Sequence, residues 1–195
     1  MMKPKKIYFL IIKIIIILTI ALVSAFFLTR NSASKHADTL INIDNQNNPM
    51  RLTSSAFEYN QPIPPLYTCD GESISPPLRI EGVPKNAKSL ALIVDDPDAP
   101  GRTFVHWAVW NIPRETPAFE MNTVPQMAVQ GRNDFGTNRW GAPCPPSKTH
   151  RYFFKLYALD TMLDLHTSSS KSDLEQAMNG HVISRAELIG LYARQ

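Results

Sequence analysis

Three clusters of residues have types and spacing that could do chemistry, and the first is a proline-stiffened acidic segment. Asp95, Asp96 and Asp98 follow directly on an apolar run. Carboxylates this close together repel one another unless cations or backbone N–H groups compensate their charge. Pro97 and Pro100 restrict the backbone here. We therefore predict a loop held in one shape and able to present carboxylates, with an ordinary acidic surface turn as the alternative.

The second cluster centres on His106, which lies in the apolar and aromatic run 104–113. Such a run is typical of a β-strand. Alternate side chains of a strand share a face, so we expect His106, Ala108 and Trp110 to point the same way. An imidazole in this setting is either a binding or acid–base group or a hydrogen-bonded histidine of the core.

The third cluster joins a proline-rich loop to a strand. The loop 141–146 reads Gly-Ala-Pro-Cys-Pro-Pro and is soon followed by His150-Arg-Tyr152. Alternation places His150 and Tyr152 side by side on one face and Arg151 on the other, where a carboxylate is its expected partner. A rigid loop entering a buried face beside polar and aromatic groups is typical of a small-molecule pocket.

The elements that must position these clusters are mostly strands. All but one of the 16 prolines lie between Pro49 and Pro146, a density that excludes long helices and suits short strands with ordered loops. The predicted strands cover residues 51–57, 88–95, 105–112 and 150–159. The sequence thus predicts a mostly β fold that ends in one or two short helices.

Two capping patterns near the carboxyl end predict those helices. Ser172-Asp-Leu-Glu175 and Ser184-Arg-Ala-Glu187 both match the S/T-x-x-E capping box, and Gly180 is placed to end the first helix. A second helix would align Leu188, Leu191 and Tyr192 on one face.

The amino-terminal region predicts export. Residues 1–6 carry the basic cluster Lys3, Lys5 and Lys6, and residues 7–29 form an apolar run broken only by Lys13. As a helix this run would span about 35 Å, enough to cross a membrane, with the basic end in the cytoplasm. It is either a signal-anchor or a signal peptide cleaved before Phe26. Residues 30–48 are a polar spacer, and residues 49–195 form the predicted domain, facing the periplasm or secreted.

The charge distribution argues against a nucleic-acid partner. Residues 1–37 carry six basic side chains and no acidic one, which leaves 14 basic against 17 acidic groups in the rest of the chain. Proteins that bind nucleic acid cluster Lys and Arg to neutralise phosphates. We therefore predict no nucleic-acid binding.

Two cysteines, Cys69 and Cys144, are the whole complement of the chain. In an oxidising compartment an even pair is often a disulfide, and two unpaired thiols are the alternative.

Four of these motifs together resemble the phosphatidylethanolamine-binding protein family, in particular its bacterial Raf-kinase-inhibitor-like branch. The motifs are Tyr67-Thr-Cys-Asp-Gly71 with Ser75-Pro-Pro-Leu78, Asp96-Pro-Asp98-Ala-Pro100 with His106-Trp107, Gly141-Ala-Pro-Cys-Pro-Pro146 with His150-Arg-Tyr152, and Ala177-Met-Asn-Gly-His-Val182. The resemblance covers residues 50–195. It implies a large central antiparallel sheet packed on a smaller sheet, with short flanking helices.

The resemblance also implies an anion pocket, and we expect no cofactor. The implied ligand-binding residues are Asp96, Asp98, His106, Gly141, Pro145, His150 and Tyr152. The implied ligands are phosphate-type anions and phospholipid head groups.

Alternative functions stay open at this point. The domain could be an interaction module that inhibits a partner such as an envelope protease. It could also be a hydrolase that uses the Asp and His groups as acid and base, although the chain has no G-x-S-x-G, P-loop or H-E-x-x-H motif. A metal site would need His106, His150 and one aspartate together.

Overall fold

A computed structural model describes residues 49–194 of the chain, and the predicted leader and spacer lie outside the described residues. Two sheets, one α-helix and a short 3₁₀ helix at Pro65–Tyr67 account for the regular structure of this part. The strands are β1 (Arg51–Thr53), β2 (Gln61–Pro62), β3 (Leu78–Glu81), β4 (Ser89–Asp96), β5 (Phe104–Pro113), β6 (Ala118–Phe119), β7 (Val129–Gln130), β8 (His150–Leu159) and β9 (Val182–Tyr192). The helix α1 spans Lys171–Met178. No helix among residues 49–194 is long and apolar enough to cross a membrane.

The larger sheet has six strands in the order β2-β9-β8-β4-β5-β7, and the smaller has three in the order β1-β3-β6. All neighbours pair antiparallel except β2 and β9, which are parallel. The predicted mostly β fold, with a large sheet packed on a smaller one, is confirmed.

The larger sheet is buried on both faces at its centre, which explains why β4 is buried at every position. One face packs on the smaller sheet, with Leu92 and Phe154 contributing to the same core as Leu52 and Phe119. The other face carries a second core, formed with α1. A strand buried on both sides is a continuous apolar run rather than an alternating one.

The helix α1 begins two residues before the position that the sequence suggested. Ser170 is its N-cap, and Ser170 and Asp173 form the reciprocal capping box. The helix ends at Met178, and Gly180 follows with a positive φ of 80°. Its attachment to the sheet includes an ion pair of 2.6 Å between Lys171 and the fully buried Asp95.

The second predicted helix is wrong, because residues 182–192 form the strand β9. This strand pairs with β8 along almost its whole length, from Val182 opposite Leu159 to Tyr192 opposite His150. Pairing along a ten-residue neighbour outweighs a local capping pattern, since an isolated short helix is marginal in water. The predicted strand 51–57 is also shorter than expected, ending at Thr53.

Candidate functional site

The three chemical clusters meet because of the strand directions. Strand β4 runs antiparallel to both of its neighbours, β5 and β8. The end of β4, with Asp96, therefore lies beside the start of β5, with His106, and the start of β8, with His150 and Tyr152. All four side chains line one cavity of about 250 Å³.

A β-bulge directs His106 into this cavity. Val94 pairs with Trp107 but Asp95 pairs with Val105, so one extra residue of β5 is accommodated at His106. Such a bulge changes the face to which the next side chains point. Ala108 and Trp110 belong to the core beside α1, whereas the ring of His106 lies 5.1 Å from that of Tyr152, on the opposite face. The prediction that His106 shares a face with Ala108 and Trp110 is therefore wrong.

His106 is fixed by two reciprocal hydrogen bonds with Gly141. Its Nδ1–H donates to the Gly141 carbonyl at 2.7 Å, and the Gly141 N–H donates to the His106 carbonyl at 2.9 Å. Burial lowers the pKa of His106 below its usual 6.5, although the Gly141 carbonyl opposes this shift. The neutral imidazole thus carries its proton on Nδ1 and leaves the lone pair of Nε2 available.

His150 is held in a similar way by a carboxylate. Its Nδ1 lies 2.7 Å from Oδ2 of Asp96, and both side chains are buried. The other Asp96 oxygen accepts the backbone N–H of Asp98 at 2.8 Å. Asp96 therefore orients the ring of His150, which lines the cavity and keeps Nε2 as the ring nitrogen that Asp96 does not engage.

Asp98 faces away from the cavity and forms an ion pair with Arg151. The guanidinium donates to both carboxylate oxygens, at 2.8 and 2.7 Å. Hydrogen bonding from Arg151 lowers the pKa of Asp98 from 3.8 to about 2. The expectation that Arg151 pairs with a carboxylate is confirmed, while Asp98 does not line the cavity.

Tyr152 has a side chain that is fully buried, and its hydroxyl has no hydrogen-bond partner among residues 49–194. Burial and the nearby Asp96 charge raise the pKa of this hydroxyl, which therefore stays protonated. A buried polar group without a partner is costly, and such groups in proteins often face a ligand or water.

The rest of the cavity wall is aromatic and proline-rich. Besides Asp96, His106, His150 and Tyr152, the residues that line the cavity are Ala99, Pro100, Phe104, Phe135, Cys144, Pro145 and Pro146. The Phe135 ring packs on Phe104 at 4.8 Å and on His106 at 5.7 Å, yet half of its side chain is exposed. An apolar wall with few polar groups is typical of a small-molecule site.

Of the seven predicted ligand-binding residues, five line the cavity: Asp96, His106, Pro145, His150 and Tyr152. Gly141 lines a neighbouring cavity instead, and its backbone forms the two hydrogen bonds with His106. Sequence reasoning missed Phe104 and Phe135. Phe104 is the first residue of β5, and Phe135 lies in an irregular loop, where no periodic pattern indicates its direction.

The predicted disulfide between Cys69 and Cys144 is present, with Cα atoms 5.4 Å apart. Cys144 itself lines the cavity. The Cys69 N–H also donates to the Pro143 carbonyl at 3.0 Å, so the bond and this contact tie the cavity wall to the turn that precedes β3. Within residues 49–194, no three His, Cys, Asp or Glu side chains are placed to hold a metal ion.

Comparison with known proteins agrees with this architecture. Residues 53–193 match the family model described as phosphatidylethanolamine-binding protein. The chain belongs to the phosphatidylethanolamine-binding protein (PEBP) family. Among its relatives, the UPF0098 protein of Methanothermobacter thermautotrophicus is 55% identical over 150 residues, covering 74% of this chain and 99% of the relative. The UPF0098 protein PH1269 of Pyrococcus horikoshii is 51% identical over 150 residues, covering 73% of this chain and 76% of the relative.

Two crystal structures share the fold. The PEBP homologue CT736 from Chlamydia trachomatis superposes with a TM-score of 0.73 at 43% identity, over 75% of this chain and 99% of CT736. E. coli YbcL, described as a member of the mammalian PEBP family, gives a TM-score of 0.71 at 34% identity, over 75% of this chain and 99% of YbcL. The six-stranded sheet and the three-stranded sheet packed on it are therefore the PEBP fold.

Proposed function

We propose that this PEBP domain binds a small phosphate-type anion, free or as a head group, in the cavity formed by His106, His150 and Tyr152. The observation that carries the proposal is Tyr152, which lines the cavity and whose fully buried hydroxyl has no hydrogen-bond partner in the described part of the chain. An anionic oxygen would accept this hydrogen bond, and a charge-assisted bond is stronger than a neutral one.

The two imidazoles make anion binding dependent on protons. Each Nδ1 is already engaged, His106 with the Gly141 carbonyl and His150 with Asp96. Each Nε2 is therefore an acceptor when the ring is neutral and a donor only when the ring is protonated. An anion should consequently bind with uptake of a proton, or bring its own proton as a monoprotonated phosphate does.

Sulfate is the probe that separates these cases, since its charge does not change between pH 5.5 and 7.5. If an imidazole takes up a proton when sulfate binds, sulfate affinity should fall as the pH rises, by up to about tenfold per pH unit. Calorimetric titration of the full-length protein, purified in mild detergent, measures this directly. Sulfate affinity that is absent at both pH values would contradict the proposal.

A surface pair provides a matched control for the histidine variants. His181 contacts Asp160 through Nδ1 at 2.8 Å, the same arrangement as His150 with Asp96, but both residues are about half exposed and lie outside the cavity. His106→Gln and His150→Gln should each weaken sulfate binding, whereas His181→Gln should leave it unchanged. An equal loss of sulfate affinity in all three variants would indicate a general charge effect and would contradict sulfate binding in the cavity.

We further propose that the domain acts outside the cytoplasm, tethered by residues 7–29 or released after their cleavage. The basic and apolar pattern of the leader supports export. The Cys69–Cys144 disulfide is compatible with it, because such bonds persist in oxidising compartments. Protease added to spheroplasts of an expressing bacterium should digest the domain, and the mass of the purified protein reports cleavage. Full protection of the domain would refute export.

A further inference from the structure

We call the cavity lined by His106, His150 and Tyr152 the anion cavity. A second cavity, of about 670 Å³, lies directly beside it. The two share Phe135 and Cys144 as a common wall. The anion cavity, at about 250 Å³, is slightly smaller than the roughly 300–1,000 Å³ that small-molecule sites usually occupy. The neighbouring cavity falls inside that range, so the pair together has room for a ligand larger than a single anionic group.

The second cavity has an aromatic floor. Trp107 and Trp140 both line it, and their rings meet edge to face with centroids 5.7 Å apart. The Trp107 Nε1–H donates to Oε1 of Gln130 at 2.8 Å. Because that oxygen accepts a hydrogen bond, the Gln130 amide is oriented, and its NH₂ group, which has no partner among residues 49–194, can donate to a ligand.

The rim of this cavity is polar and has no net charge. Ser75 and Asn122 line it with hydrogen-bonding side chains, and the charged lining residues are one acid, Glu72, and one base, Arg139. Glu72 and Arg139 are both exposed and form no ion pair within residues 49–194. Their charges balance, so the cavity favours a neutral polar group over a second anion.

We infer that this second cavity takes the sugar ring of a phosphorylated carbohydrate whose phosphate lies in the anion cavity. The inference rests on the proposed function. A sugar ring is neutral, carries several hydroxyls for amide and carboxylate partners, and has an apolar face that packs on an aromatic side chain. Phe135, half exposed between the two cavities, is the side chain over which such a ligand would pass.

The test compares ligands that share the phosphate and differ in the ring. The full-length protein is titrated with inorganic phosphate and with the 6-phosphates of glucose, galactose and mannose. Two or more added hydrogen bonds should let one of these sugar phosphates bind about tenfold or more tightly than phosphate. If none of the three binds more tightly than phosphate, the inference is overturned.

Variants then show which residues provide the extra affinity for the sugar phosphate over phosphate. Glu72→Ala and Gln130→Ala should each reduce the preference for the sugar phosphate at least threefold while leaving the affinity for phosphate within twofold. Removing the acidic Glu72 should, on charge alone, favour an anion, so weaker sugar phosphate binding in Glu72→Ala indicates a direct contact. Glu58→Ala and Gln176→Ala, at exposed positions outside both cavities, are the matched controls.

The outcomes distinguish the two proposals. Phosphate binding that weakens in His150→Gln, without any sugar preference, keeps the anion site and overturns the carbohydrate subsite. A sugar preference unchanged in both Glu72→Ala and Gln130→Ala also overturns the subsite. No phosphate binding at all contradicts the anion site itself.

Discussion

Replacing both cysteines in the variant Cys69→Ser/Cys144→Ser should lower the free energy of unfolding by about 4.5 kcal/mol. The two residues are 75 positions apart, so the bond closes a loop that covers half of the described domain. Closing a loop of that length restricts the unfolded chain, and the chain-entropy relation gives this magnitude at 25 °C. A loss of this size is a large share of the 5–15 kcal/mol that is typical of a domain.

Urea unfolding at neutral pH, followed by tryptophan fluorescence, measures the loss. The variant should still fold, because hydrogen bonds of 3.0 Å from Cys69 N–H to Pro143 and 3.3 Å from Trp140 Nε1–H to Tyr67 hold the same two segments together. Ser147→Ala, an exposed substitution in the same proline-rich loop, is the control. A loss below about 1 kcal/mol would refute the entropic reasoning.

Two further predictions concern the surroundings of the anion cavity. A methyl group added at Gly141 would lie 2.4 Å from ring carbons of Phe135, so Gly141→Ala should displace that ring, weaken sulfate binding and cost about 1–3 kcal/mol of stability, as urea unfolding would show. An unchanged Phe135 ring environment in NMR spectra would contradict this. Asp98 should titrate with a pKa of about 2. In Arg151→Ala its pKa should return towards 3.8, as NMR titration would show, and the stabilising ion pair of the wild type should be lost only as the pH falls through about 2.

Three of the four strands predicted from the sequence agree with the structure to within one residue at each end. Strands β4, β5 and β8 are long apolar runs bounded by polar or proline-rich segments, and such runs are strong strand signals. The strands that the sequence did not predict are β9, where it predicted a helix, and the short strands β2, β3, β6 and β7, which have between two and four residues. A two-residue strand is too short to show alternation, and the four residues of β3 alternate between buried and exposed over a run too short to stand out in the sequence.

The C-terminal strand shows why the predicted second helix was wrong. Arg185 and Glu187 are exposed while Leu188 is buried, and Ala186 packs on the main core between them. This alternation is a strand signal that the local resemblance to a capping box obscured. The structure follows the alternation because it buries Leu188 and satisfies the backbone groups of β8.

The candidate site could be predicted in its residues but less well in its geometry. The residue types and the family resemblance correctly indicated that His106, His150 and Tyr152 lie at one site. They could not indicate the β-bulge that turns His106 towards Tyr152, because a bulge depends on the register with β4. Nor could the sequence show which of the two neighbouring carboxylates enters the cavity. Asp96 lines it, whereas Asp98 pairs with Arg151 and does not.

The most direct test of the anion site removes a single atom. Tyr152→Phe deletes the buried hydroxyl that has no partner among residues 49–194. Calorimetric titration of wild type and variant with sulfate at pH 5.5 should show affinity reduced by about 1.5–3 kcal/mol, or roughly 10- to 150-fold, while stability stays equal or increases. Tyr157→Phe, on the same strand and outside the cavity, should bind sulfate like wild type. Unchanged sulfate affinity in Tyr152→Phe would contradict the account.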